Sequence, residues 1–248
     1  WPELFATIAQ YFGNGELSRG TRVIALDVLA NSMDIDCPEE IQVYILSQIE
    51  ELCCSVDLET VDITDESYED PTPRTDAEGY LSVIFTGIGK EKVESYIEIK
   101  IGELTAGGLS IAHYRFLLII LREGIPYIQN FYPQILEITK AIIDSENYIL
   151  VKEVFSFLAV ALKDDSLKNN YPSQLMELFN AVFGYEIDEI YQAFELFANS
   201  EYCSDYADFS TIECLIEACD AIDVEKNHII GVILSSIGTL TKRLDSKG

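Results

Sequence analysis

Lysine and arginine are missing from two long stretches of this chain. Residues 23–73 hold 14 Asp/Glu and no basic residue, and residues 169–225 hold 13 Asp/Glu and again none. Together these blocks account for the whole formal charge of −27, while the remaining 140 residues carry 16 charges of each sign. Phosphate neutralisation needs clustered Lys and Arg, so direct nucleic-acid binding is not expected. Anionic membrane surfaces are disfavoured for the same reason. What two single-sign surfaces attract over distance is a basic partner; acidity that merely keeps the chain soluble is the competing reading.

Other absences narrow the chemistry. The longest run of large apolar residues, Phe116–Leu121, is far short of a membrane span, so no membrane insertion is expected. Only His113 and His228 could serve as histidine ligands or bases, and neither has Cys or Asp beside it at ligand spacing. No G-x-S-x-G elbow is present, and Gly87-Ile88-Gly89-Lys90 lacks the leading glycine and the trailing Ser/Thr of a phosphate loop. Asp34-Ile35-Asp36-Cys37-Pro38 opens like a calcium loop, but Pro38 stands where an acid or amide is needed. The acids at Asp220, Asp223 and Glu225 are spaced for a helix end. A single tryptophan leaves little for a sugar-stacking platform beside any carboxylate pair. The chain therefore reads as a non-enzyme with no cofactor and no metal.

Six cysteines (Cys37, Cys53, Cys54, Cys203, Cys214 and Cys219) form no C-x-x-C pair and no secreted framework. Reduced thiols packed as small hydrophobes fit the cytoplasm and nucleus. Trp1-Pro2-Glu3 has no basic start and no initiator methionine, so the sequence is expected to be an excised or processed piece without a secretory signal.

What is present is helical periodicity. Val23, Leu26, Leu29, Ala30 and Met33 form one apolar stripe, and Val154, Phe157, Leu158 and Ala161 form another. Tyr96–Ile101 alternates like a strand but has no hairpin partner, and reads as helix. The spacing predicts helices over 2–12, 17–33, 38–55, 80–89, 91–105, 109–123, 126–143, 147–163, 171–184, 186–199, 206–222 and 225–243. The second helices of successive pairs begin near 109, 147, 186 and 225, about 38–39 residues apart. That period belongs to HEAT-type arrays, in which helix pairs bury their faces by stacking on neighbours. The expected fold is all-α, a HEAT-type α-solenoid of about five to six antiparallel helix pairs. Helix pairs over 1–56 and repeats over 80–248 are separated by an acidic loop over 57–79 with nine acids and one arginine. That loop is either a flexible linker or a functional acidic segment. Tyr185, Tyr191, Phe194, Phe197, Tyr202, Tyr206 and Phe209 interleave with the second acidic block; most should be core, and the rest should sit beside carboxylates.

Trp1-Pro2-Glu3-Leu4 followed by the stripe Val23–Met33 resembles an early repeat of the importin-β-like nuclear transport receptors, the karyopherins. Phe131-Tyr132-Pro133-Gln134-Ile135-Leu136, and Asn170-Tyr171-Pro172 ahead of Gln174-Leu175, are similar to the first helices of their repeats. The segment Leu81–Ala161 behind an acidic loop resembles the importins that carry ribosomal proteins and histones. The resemblance implies a superhelix whose second helices line an acidic concave surface. Basic proteins or localisation signals would bind there and be released by GTP-bound Ran. The acids it points to are Glu186, Asp188, Glu189, Glu195, Asp220, Asp223 and Glu225, with Asp62, Asp65, Glu66, Glu69 and Asp70 in the loop. Full receptors are several times longer, so this would be a section or a reduced form. The run of consecutive aspartates found in some family members' loops is absent, and so is the Trp/Asn ladder of the importin-α adaptors. Two alternatives are a HEAT scaffold subunit of phosphatase or vesicle-coat type, and an acidic chaperone for histones or ribosomal proteins, which shares the cargo but not release by Ran.

Overall fold

The structure, a computed structural model, describes residues 2–32, 37–54, 78–107, 110–185, 187–200 and 206–246. Among these residues every regular element is helical. The α-helices are α1 Pro2–Gly13, α2 Arg19–Ala30, α3 Glu39–Cys54, α4 Leu81–Ile88, α5 Lys90–Ala106, α6 Ile111–Glu123, α7 Tyr132–Asp144, α8 Tyr148–Ala161, α9 Asp165–Asn170, α10 Pro172–Val182, α11 Asp188–Ala198, α12 Phe209–Ala221 and α13 Asn227–Asp245. The all-α expectation holds, and Tyr96–Ile101 lies within α5. There Ile97 and Ile101, one turn apart, are buried, while Ile99 between them faces solvent.

Short polar side chains start several helices by satisfying orphan N–H groups. Ser18 accepts from Thr21 N at 3.3 Å, Asn147 from Leu150 N at 3.2 Å and Asp208 from Thr211 N at 3.1 Å. Two expectations are corrected. The helix expected over 126–143 begins as two 3₁₀ turns, Ile125–Tyr127 and Gln129–Phe131, and becomes α-helical only at Tyr132. A second proline explains this: Pro133 has no N–H to donate and its ring would clash inside a helix, so it occupies the first turn of α7. The stretch after 163, expected as connection, contains α9, started by Asp164, whose side chain accepts from Ser166 N at 2.7 Å.

The chain forms two compact units, 1–128 and 129–248, the division falling within the expected segment 80–248. In the first unit, α1 packs on α2 and α3, and α6 packs on α3, α4 and α5. Phe116–Leu121 of α6 are all at most 2% exposed, so this helix is apolar all round because it is surrounded. Helix α5 runs in the same direction as α3. Lys92 donates to Gln42 Oε1 at 3.1 Å near one end and Lys100 donates to Glu50 Oε1 at 2.8 Å near the other. The close approach of α5 and α6 needs Gly124, where a Cβ would lie 2.6 Å from Ile97 Cδ1 and 2.9 Å from the Ile120 carbonyl.

The second unit is built like on like. First helices α7 and α10 pack together, and second helices α8, α11 and α13 form a row. Contacts at matching ends give their direction. Tyr132 and Tyr171 rings meet at 6.3 Å at the starts of α7 and α10, with the Lys140–Glu177 ion pair further along. At the row's start, Asp188 meets His228 at 2.6 Å; at its end, Arg243 donates to the Asn199 carbonyl at 2.8 Å. The second helices begin at Tyr148, Asp188 and Asn227, close to the expected 147, 186 and 225. Phe179 of α10 locks two pairs together, its ring 5.9 Å from Phe155, 5.4 Å from Phe194 and 5.7 Å from Phe197.

Candidate functional site

The helix starts decide where the acids of the second block stand. Asp188 and Glu189 occupy the first turn of α11, where the helix dipole favours carboxylates. Asp188 is already partnered, accepting from His228 Nε2 across to α13. Glu195, seven residues on, shares its face and is half-buried. Asp223 folds its carboxylate back onto Glu225 N at 3.1 Å and starts the 3₁₀ turn Val224–Lys226. It is a capping residue of the turn, while Asp220 and Glu225 are exposed. Glu186 and the loop acids Asp62, Asp65, Glu66, Glu69 and Asp70 lie outside the described residues.

Two carboxylates that the sequence reading passed over complete the picture. Glu213, Glu217 and Asp220 fall at i, i+4 and i+7 of α12, and all three are exposed. Their helical spacing within α12 is the signal in the sequence that marks them. Asp208, at the start of that helix, is held below its ordinary carboxyl range by hydrogen bonds, first from the Ser210 hydroxyl at 2.6 Å and then from Thr211 N–H. Cys219 is shifted the other way, its thiol pushed up by burial and then by the charge of Asp220.

Fewer of the seven aromatic residues are core than expected, and Tyr185 is half-buried. Tyr191, Phe194 and Phe197 are at most 1% exposed and belong to the core of the second unit, whereas Tyr206 and Phe209 are 46% and 64% exposed beside the acids of α12. Tyr202 lies outside the described residues.

The first acidic block is different in space from its appearance in sequence. Glu39 and Glu50 of α3 meet lysines from α5, fifty or more residues away: Lys92 at 3.7 Å from Glu39 and Lys100 at 2.8 Å from Glu50. Burial acts to lower the Lys100 ammonium's pKa, but hydrogen bonds to Glu50 and Glu103 outweigh it and hold it above its ordinary value. Between these pairs lies a groove of about 380 Å³ floored by Leu46 and Ile88, with Val43 and Ile99 on its walls. Its size is that of a ligand pocket, and it is a local apolar surface with its charges already satisfied.

Among the described residues, no three His, Cys, Asp or Glu side chains converge as metal ligands do. His113 is engaged locally, its Nδ1 2.8 Å from the Ser110 hydroxyl. No helix among the described residues is long and apolar enough to cross a membrane. What the arrangement offers is surface: in the second unit, exposed carboxylates of α12 that make no ion pair among the described residues, and in the first, an ion-paired apolar groove. No protein-family model matches the chain, and neither a curated protein nor a solved structure matches it.

Proposed function

We propose that the chain is a protein-binding α-solenoid of the HEAT type, a nuclear import receptor segment that takes basic cargo on its acidic surface. The observation that carries this reading is the second unit. Helix pairs repeat there at about forty residues, second helix runs parallel to second helix, and carboxylates of a block without Lys or Arg stand exposed. A repeat of this kind buries its core through neighbouring pairs and leaves long faces for partners. Glu189, Glu195, Asp220 and Glu225 are among the acids available to Lys and Arg, with Glu213 and Glu217 beside Asp220; Asp188 would first have to leave His228. One exposed ion pair contributes only about 0.2–1 kcal/mol, so micromolar binding, about −8 kcal/mol, requires many pairs or added apolar contact.

The test is a pull-down from cell extract on the immobilised chain, with and without GTP-locked Ran. Basic proteins retained and then shed on adding Ran are the expected result. Basic proteins retained whether or not Ran is present would instead fit an acidic chaperone or a receptor section without its Ran site. A second reading, a scaffold subunit, is favoured by the α3/α5 groove, where exposed Val43 and Ile99 stand between satisfied ion pairs. It requires capture of a defined, non-basic complex, an outcome that would refute the cargo reading.

A further inference from the structure

Helix α12 has an inner stripe that the fold uses and an outer stripe that it does not. Thr211, Ile212, Leu215, Ala218 and the following Ile222 are buried, and α12 packs on α13. On the opposite side stand Phe209, 64% exposed, and Ile216, 47% exposed. Such side chains cost free energy for as long as their apolar surface stays in water. At 100° per residue, Phe209, Glu213, Ile216, Glu217 and Asp220 fall within an arc of about 100°, over roughly 16 Å of helix. Two apolar anchors, seven residues apart, thus alternate with three carboxylates. None of those carboxylates makes an ion pair among the described residues. No Lys or Arg lies anywhere in residues 169–225 to supply one locally.

We propose that this outer face of α12 docks a basic amphipathic helix of a partner protein. The seven-residue spacing of Phe209 and Ile216 is two helical turns, the repeat at which a facing helix presents its own apolar side chains. Charge complementarity fixes the rest of the occupant. Lys or Arg flanking that apolar stripe would pair with Glu213, Glu217 and Asp220, whereas an acidic helix, a nucleic acid or an anionic bilayer would be repelled. Long basic side chains suit the site because their alkyl stems lie on the apolar anchors while the head groups reach the carboxylates. The inference rests on the basic-partner reading and sharpens it, since a purely electrostatic surface would accept any polycation.

The experiment measures binding by fluorescence anisotropy at low ionic strength with three labelled probes. The first is a Leu/Lys amphipathic helix of about 18 residues, five turns long; the second has the same composition in scrambled, non-amphipathic order; the third is oligolysine of equal charge. The amphipathic helix should bind at least about tenfold more tightly than the scrambled peptide. The double variant Phe209→Ala/Ile216→Ala should lose that tenfold advantage yet bind oligolysine like the parent. Both residues are exposed, so its thermal melt should match the parent's. If the parent binds scrambled and amphipathic peptides alike, or the double variant retains full affinity, the docking inference is overturned while the basic-partner reading survives. If no probe binds, both fall.

Discussion

Tyr96 is a residue whose polar atom the fold has not provided for. Its hydroxyl is buried and has no hydrogen-bond partner among the described residues, while the Lys100 ammonium lies 5.6 Å from its ring centroid. An unmade buried hydrogen bond costs about 1–3 kcal/mol, so Tyr96→Phe should leave stability unchanged or raise it by about 1 kcal/mol. Burial, and then the charge of Glu50, push the Tyr96 phenol far above its ordinary value, and Lys100 is raised as well. The sign follows from proton binding. Below about pH 10 both groups are protonated in folded and unfolded chains and their contribution is complete. Above it the unfolded chain releases protons that the folded chain retains, and stability declines as pH rises. Urea melts between pH 8 and 11 should show that decline, shallower in Tyr96→Phe. A variant clearly less stable than the parent at neutral pH would mean that the hydroxyl does have a partner.

Helices were legible in the sequence where an apolar period ran unbroken, as with Leu26 and Leu29 in α2 and Val154, Phe157, Leu158 and Ala161 in α8, all of them buried. They were misread where two breakers competed, at Pro126 and Pro133, and where a helix of six residues was too short to show a period, at α9. The like-on-like packing was legible only as a repeat length, because the contacts that set direction, such as Asp188 with His228, join residues forty positions apart. For the same reason the lysines facing Glu39 and Glu50 were invisible. At this scale the aromatic cluster is the strongest claim. Phe179 is fully buried and touches rings from both α8 and α11. Phe179→Ala should therefore cost about 3–5 kcal/mol, seen as an earlier urea midpoint for the second unit. A loss below about 1 kcal/mol would show that the pairs are held together without it.

Across the whole molecule, the charge of −27 is less uniform in effect than in number. Carboxylates of α3 are engaged by Lys92 and Lys100, which fix α5 beside α3, whereas Glu213, Glu217 and Asp220 on the outside of α12 make no ion pair among the described residues. The two acidic blocks should then respond oppositely to neutralisation. Glu39→Gln/Glu50→Gln should lower stability and leave the affinity for a basic partner nearly unchanged. Glu213→Gln/Glu217→Gln/Asp220→Asn should leave stability nearly unchanged and lower that affinity by about 1–2 kcal/mol, roughly three exposed pairs' worth. Salt supplies the independent control. Fields reach only about 8 Å at physiological ionic strength, so the parent's affinity for a basic protein should fall steeply between low and physiological salt, and the α12 variant's should fall less. Equal salt slopes for parent and α12 variant would place the attraction elsewhere on the molecule. A flat slope for both would leave the segregated acids as solvation, and the apolar groove between α3 and α5 as the surface that binds.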